Sequence, residues 1–171
     1  MELLEHPLVN KARSFAAMAH AGVNRKWSGE PYVEHCERVA ARLSALGFRP
    51  DVIAAALLHD VVEDTHIKPA VLAIEFGPKV VALVLAVTKP NIPKVPGNRA
   101  SRKAAFREQL AGSSYEGASI KLADMIDNSS NVADHDPAFA AGYLAEMRET
   151  IKVLGHGHPE LVAELARNLS K

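Results

Sequence analysis

Apolar positions recur with helical spacing along almost the whole chain. Leu8, Ala12, Phe15 and Ala19 fall on one face of a first predicted helix, and Val33, Cys36, Ala40 and Leu43 on one face of a second, which Gly47 ends. A third starts near Pro50-Asp51 and runs through Ile53-Ala-Ala-Ala-Leu-Leu to His59-Asp60; its small residues suit the close packing of a central helix. A short helix over 71–76 stops at Gly77, and Pro78 fits the first turn of the next, over 80–87. That last segment is nearly all apolar and β-branched, so its periodicity also fits a strand. Nothing else in the chain reads as a strand partner, and it is taken as a buried helix. Three prolines and a glycine make 88–98 an irregular loop. Helices resume over 99 to about 110, about 116 to 132, 137–154 and 159–169, with Tyr143, Met147, Ile151 and Leu154 forming the apolar face of the third of these. There is no internal repeat and no low-complexity segment. The pattern predicts an all-α bundle of about eight or nine helices in a single domain spanning 1–171.

Composition narrows the function classes. Lys plus Arg number 20 and Asp plus Glu number 20, for a formal net charge of zero. That argues against a general nucleic-acid coat or a membrane-surface protein. Cys36 is the only cysteine, so neither a disulfide framework nor a cysteine zinc site is expected. The first residues lack the basic end and apolar stretch of a signal peptide, and no apolar run is expected to reach transmembrane length. A cytoplasmic location is therefore expected, and a homo-oligomer is left open.

The charge is unevenly spread. No acid occurs over 76–107, which carries Lys79, Lys89, Lys94, Arg99, Arg102, Lys103 and Arg107. A charge run alone reads as a solvated face. Beside a metal site it reads better as the place of an anionic ligand.

The chemistry lies in one array: His35, then His59-Asp60-Val-Val-Glu63-Asp64, then Asp124. Two imidazoles and two carboxylates make a mixed nitrogen and oxygen set for one divalent transition metal. On a helix, His59 and Glu63 are one turn apart, as are Asp60 and Asp64, so one helix end can present two ligands and then two further carboxylates to handle the protons of a water. Without a cation such acids repel one another. An exposed acidic helix end is the bland alternative, but it fits poorly after Ala-Ala-Ala-Leu-Leu. Asp124 follows apolar Leu122-Ala123, among positions that share a face with Ile120, Ala123 and Asp127. It must meet either a lysine or arginine or a metal. Asn128, one turn on, could hydrogen-bond a ligand. His35 alone reads as a packed core histidine. His6, His66 and His135 read as surface or helix-end residues, and His156-Gly-His158 as a solvated turn. His20 is placed to buttress the loop at Arg25. Trp27 suits either stacking on a base or packing that loop against the body.

Three segments carry a resemblance: Arg25-Lys26-Trp27-Ser28-Gly29-Glu30-Pro31-Tyr32 followed by His35, the run His59-Asp60-Val-Val-Glu63-Asp64-Thr65, and Lys121-Leu-Ala-Asp124 with Asn128. Together they resemble the hydrolase domain of the Rel/SpoT alarmone enzymes, in the HD phosphohydrolase superfamily, from about residue 11 to 154. The resemblance implies an HD-type helical bundle and one manganese ion per chain, held by His35, His59, Asp60 and Asp124. It implies that Glu63 and Asp64 orient or deprotonate the attacking water. Arg25, Lys26 and Ser28 would hold the nucleotide and Asn128 its sugar end, with Lys94, Arg99 and Arg102 on phosphates. The reaction implied is removal of the 3′-pyrophosphate of guanosine polyphosphates, giving GDP or GTP, with the adenosine analogue as a further substrate. The length leaves no room for a synthetase or regulatory region, so the expectation is a stand-alone small alarmone hydrolase like those also found in animals. Cys36 replaces a usual proline and Asn128-Ser-Ser-Asn131 a more apolar-basic continuation; neither touches a ligand. Two alternatives remain: an HD-type phosphatase acting on nucleoside monophosphates, separable by product analysis, and a non-catalytic alarmone-binding module, which the intact Glu63-Asp64 pair disfavours.

Overall fold

The computed structural model describes residues 2–94, 97–130 and 132–170. After a 3-10 turn at Glu2–Glu5, helical spacing is realised as α1 (Pro7–Ala19), α2 (Tyr32–Ala45), α3 (Pro50–Leu58), α4 (Val61–Asp64), α5 (Pro69–Val87), α6 (Arg99–Ala111), α7 (Tyr115–Ser129), α8 (Val132–His135), α9 (Pro137–Ile151) and α10 (Pro159–Leu169). Two of these, α4 and α8, are single turns of four residues. Among the described residues there is no strand; Asn24 and Pro31 form one isolated bridge. The all-α expectation holds.

Helix α3 is the axis of the bundle. Val52 through Leu58 are all buried, because α1, α2 and α5 pack around it and Ala54-Ala-Ala56 let their backbones come close. Helix α7 crosses α2 and α5 and is covered by α10, whose Leu161, Leu165 and Leu169 recur at four-residue spacing. The site helices α2, α3 and α7 are therefore set by core packing.

Four local features differ from the expectation. The third predicted helix is two pieces. The carbonyl of Ala56, which an unbroken helix would offer to the Asp60 N–H, accepts from His59 Nδ1 at 2.7 Å. The backbone turns at His59-Asp60 and one helical turn restarts, with Asp64 N donating to Asp60 O at 2.9 Å. The predicted 71–76 and 80–87 helices join in α5 across a kink at Gly77, whose φ of 83° only glycine adopts at low cost. Helix α7 stops at Ser129 rather than 132, and α9 at Ile151 rather than 154. The turn at His156-Gly157-His158 leaves His156 exposed, as a solvated turn would, but buries Gly157 and half-buries His158. His156 Nε2 lies 2.9 Å from Ser113 O, His158 caps α10, and a Cβ on Gly157 would sit 2.5 Å from Leu122 Cδ1.

Helix α5 also corrects the expectation that no apolar run reaches transmembrane length, since by length and composition it does. The Gly77 kink divides it into pieces of about 12 and 15 Å at 1.5 Å per residue, against roughly 30 Å of hydrocarbon in a bilayer. Leu72, Phe76, Val80, Val84 and Val87 turn into the protein core.

Candidate metal centre

His35 leaves the first turn of α2, His59 and Asp60 the break after α3, and Asp124 the middle of α7. One ligand atom from each converges, all within 4.8 Å of one another. His35 Nε2 lies 3.2 Å from Asp124 Oδ1 and 3.6 Å from Asp60 Oδ2. His59 Nε2 lies 3.0 Å from Asp60 Oδ2 and 3.6 Å from Asp124 Oδ1.

A surrounding layer aims these groups. His35 Nδ1 lies 2.6 Å from Asp127 Oδ2, and His59 Nδ1 lies 2.7 Å from the Ala56 carbonyl. Each partner accepts the Nδ1 proton, so each ring presents a bare Nε2 to the cluster. Both Nε2 atoms are buried and have no hydrogen-bond partner. Asp127 is held in turn by Arg38 Nε at 2.7 Å, and Arg38 by Glu30 at 2.6 Å. The Tyr32 hydroxyl donates to Asp60 Oδ2 at 2.6 Å. Lys121 Nζ and Asn128 Nδ2 donate to the two oxygens of Asp124 at 2.7 and 2.6 Å. His20 is buried against Tyr32, ring centroids 4.8 Å apart, so it supports Tyr32 as well as the loop.

The electrostatics call for positive charge at the centre. Burial pulls both imidazoles downward, yet Asp60, Asp124 and Asp127 reverse this, raising the His35 pKa and pushing His59 well up. Burial acts to raise Asp124, but Lys121, His35 and His59 hold it well below the usual carboxylate range. Asp127 is held at about 2 against its own burial by His35 and Arg38. A buried and a half-buried carboxylate facing two lone pairs are the donor chemistry of a divalent cation.

The remaining predicted residues divide. Asp64 reaches solvent beside the cluster; partial burial, Asp60 and Glu63 raise its pKa. Glu63 is engaged by Lys89, whose backbone N donates at 3.1 Å and whose ammonium pairs with the other carboxylate oxygen. Arg25, Ser28 and Asn128 line one cleft with Trp27, Val132 and His135, and Arg25 donates to Asn128 Oδ1 at 2.8 Å. The loop carrying Arg25 is closed by Arg25 N to Glu30 O at 2.8 Å and Tyr32 N to Val23 O at 2.9 Å. Lys26 instead lies over the rings of Trp27 and Phe139, and those rings pack 5.3 Å apart, which favours the loop-packing role of Trp27. Lys94 is exposed, and Arg99 pairs with Glu146 of α9 at 2.9 Å. Arg102 has its Nε buried without a partner. Val95, Pro96 and Asn131 lie outside the described residues.

Asp127, Tyr32, Lys121 and Arg38 carry no individual role in the expectations from sequence, and Lys89 figures there only as one cation of the basic stretch. Asp127 carried the best signal, a second carboxylate on the apolar face that holds Asp124.

A family model described as HD domain matches residues 12–156. A guanosine-3′,5′-bis(diphosphate) 3′-pyrophosphohydrolase of Aquifex aeolicus is 35% identical over 122 residues, covering 70% of this chain and 17% of the relative. A probable GTP pyrophosphokinase of Mycobacterium leprae is 34% identical over 151 residues, covering 87% of this chain and 19% of the relative. The chain thus spans under a fifth of the length of these curated relatives. A solved structure described as a metazoan ortholog of SpoT that hydrolyzes ppGpp superposes with a TM-score of 0.87 at 29% identity, covering 96% of this chain and 95% of that one.

Proposed function

The chain belongs to the HD domain family, and on that premise we propose that it is a metal-dependent 3′-pyrophosphohydrolase of guanosine polyphosphates. The observation that carries the reading is the pair of buried, partnerless Nε2 atoms of His35 and His59 facing Asp60 and Asp124. These four residues would hold a divalent cation, and their mixed donors suit manganese. Such a cation supplies Lewis acidity to a water and to the phosphate oxygens. The likeness over nearly the full length of the metazoan ppGpp hydrolase supports the substrate class.

The chain's own residues perform the rest. Asp64, with its raised pKa, takes the proton of the attacking water, and Glu63 orients that water while anchoring Lys89 at the rim. Water attacks the phosphorus joined to the ribose 3′ oxygen. The P–O3′ bond breaks, the water oxygen leaves in pyrophosphate, and the 3′ oxygen takes a proton. Arg25, Ser28 and Asn128 hold the nucleoside end. Tyr32 and Lys121 keep Asp60 and Asp124 in fixed orientation. The cations of α6 and of the loop before it receive the distal phosphate.

The test is chromatography of products from guanosine tetraphosphate with manganese present. GDP and pyrophosphate in equal amounts are expected, with little action on GMP or dGMP. Free phosphate as product, or preference for dGMP, would move the protein to the nucleotide phosphatases.

A further inference from the structure

Helices α6 and α9 flank the metal centre and are bridged by charge. Phe106 of α6 has its ring 5.4 Å from Lys121 Nζ, the group that binds Asp124. Tyr143 of α9 is half-buried, close enough to Asp124 for that carboxylate, after burial itself, to push its hydroxyl up to about 12. Glu146, one turn from Tyr143, meets the ammonium of Lys103, one turn from Phe106, and its carboxylate lies 2.9 Å from Arg99 NH2, a further turn along α6. That carboxylate sits among several cations. After burial, repulsion from Arg99, Lys89, Arg107 and Arg102 lowers the Lys103 pKa. Arg102 adds a buried, partnerless Nε–H to the same helix.

An anion held by an arginine and a lysine, at the edge of a centre that works on phosphates, occupies the position a phosphate would take. Resting on the substrate reading above, we propose that Glu146 is a specificity-determining residue: its carboxylate stands in for the distal phosphate on Arg99 and Lys103, and the substrate must displace it. On this proposal the second phosphate of a pyrophosphate displaces Glu146 from Arg99 and Lys103, and its charge offsets the lost pairs. A monophosphate reaches only the centre and leaves the bridge closed. Glu146 thereby tunes the affinity for ligands with two linked phosphates, holding it down, and leaves that for monophosphates nearly unchanged.

The test uses metal-loaded protein at fixed free manganese, with inorganic pyrophosphate and inorganic phosphate as competing inhibitors. Glu146→Gln keeps the shape of the side chain and removes its charge. Pyrophosphate inhibition should tighten about twofold to fivefold, the worth of an exposed ion pair, with a smaller gain for phosphate. KM for guanosine tetraphosphate should fall in parallel while kcat changes less, and the gain should shrink in a Lys103→Gln background. A merely structural tether between α6 and α9 predicts the reverse: a lower melting temperature, with pyrophosphate inhibition unchanged or weaker, and that result overturns the proposal. Tighter pyrophosphate inhibition in a protein that turns over some other phosphate ester would sink the substrate reading and leave the role of Glu146 standing.

Discussion

The metal centre and the basic rim are built on opposite plans. At the centre, each candidate ligand comes from a buried stretch of α2, α7 or the end of α3, and each is held by a second group. Asp127 and Ala56 fix the imidazoles; Tyr32, Lys121 and Asn128 fix the carboxylates. At the rim, Lys94 and Arg99 are exposed, and the paired cations meet acids from elsewhere in the fold, Glu63 and Glu146. The centre needs geometry fixed to fractions of an ångström, which only packed helices give. The rim, on the proposed reading, exchanges one anion for another, which a rigid buried pair could not do at reasonable cost. On the proposed reading, chemistry is stored in the core and selection among phosphates at the surface.

Substitutions can break this contrast or sharpen it. The largest effect is expected at the ligands. Asp124→Ala should remove bound metal and reduce turnover to background, checked by elemental analysis of the purified protein beside an activity assay. Stoichiometric metal in that variant would undo the assignment of the centre. Next comes proton handling. Asp64→Asn should keep its metal and lose roughly 10²–10⁴-fold in kcat, the usual contribution of a positioned acid-base group; a metal-free Asp64→Asn protein would show instead that Asp64 is a ligand.

Asp127→Asn probes the layer behind the ligands. Metal affinity should fall about 10–100-fold, as for other residues that orient a ligating histidine, measured by competition with a chelator. The same carboxyl gives a pH signature. Its folded pKa of about 2 lies below the ordinary 3.8, so its stabilising contribution is fully present above 3.8 and is lost as pH falls through about 2. In metal-free protein the melting temperatures of wild type and Asp127→Asn should converge across that interval. The smallest effect belongs to the cleft. Arg25→Lys keeps the charge but loses the donor fork, and should raise KM by about tenfold, the worth of one charge-assisted hydrogen bond, without changing metal content.

Much of the fold was legible because apolar spacing and Gly or Pro punctuation are local properties. Gly47 and Gly77 marked where helices end or kink, and Ala54-Ala-Ala56 marked the helix that others surround. The break at His59-Asp60 was hidden, because it depends on a side chain competing for the Ala56 carbonyl. The four candidate ligands were legible as residue types at odds with their apolar surroundings. Their supporting partners were harder to find: Asp127 meets His35 from 92 residues away, and Arg25 meets Asn128 from 103.

The sequence by itself determined the helical class, the residues able to bind a metal and the excess of positive charge along one stretch. Each follows from local periodicity or from the intrinsic chemistry of a side chain. Only the tertiary structure decided which acid meets which partner. Asp124 faces both Lys121 and the two histidines, Glu63 is taken up by Lys89, and Glu146 crosses between helices to Arg99 and Lys103. Hydrogen bonds and ion pairs act over about 3 Å, and no spacing along the chain records which distant groups packing will bring that close.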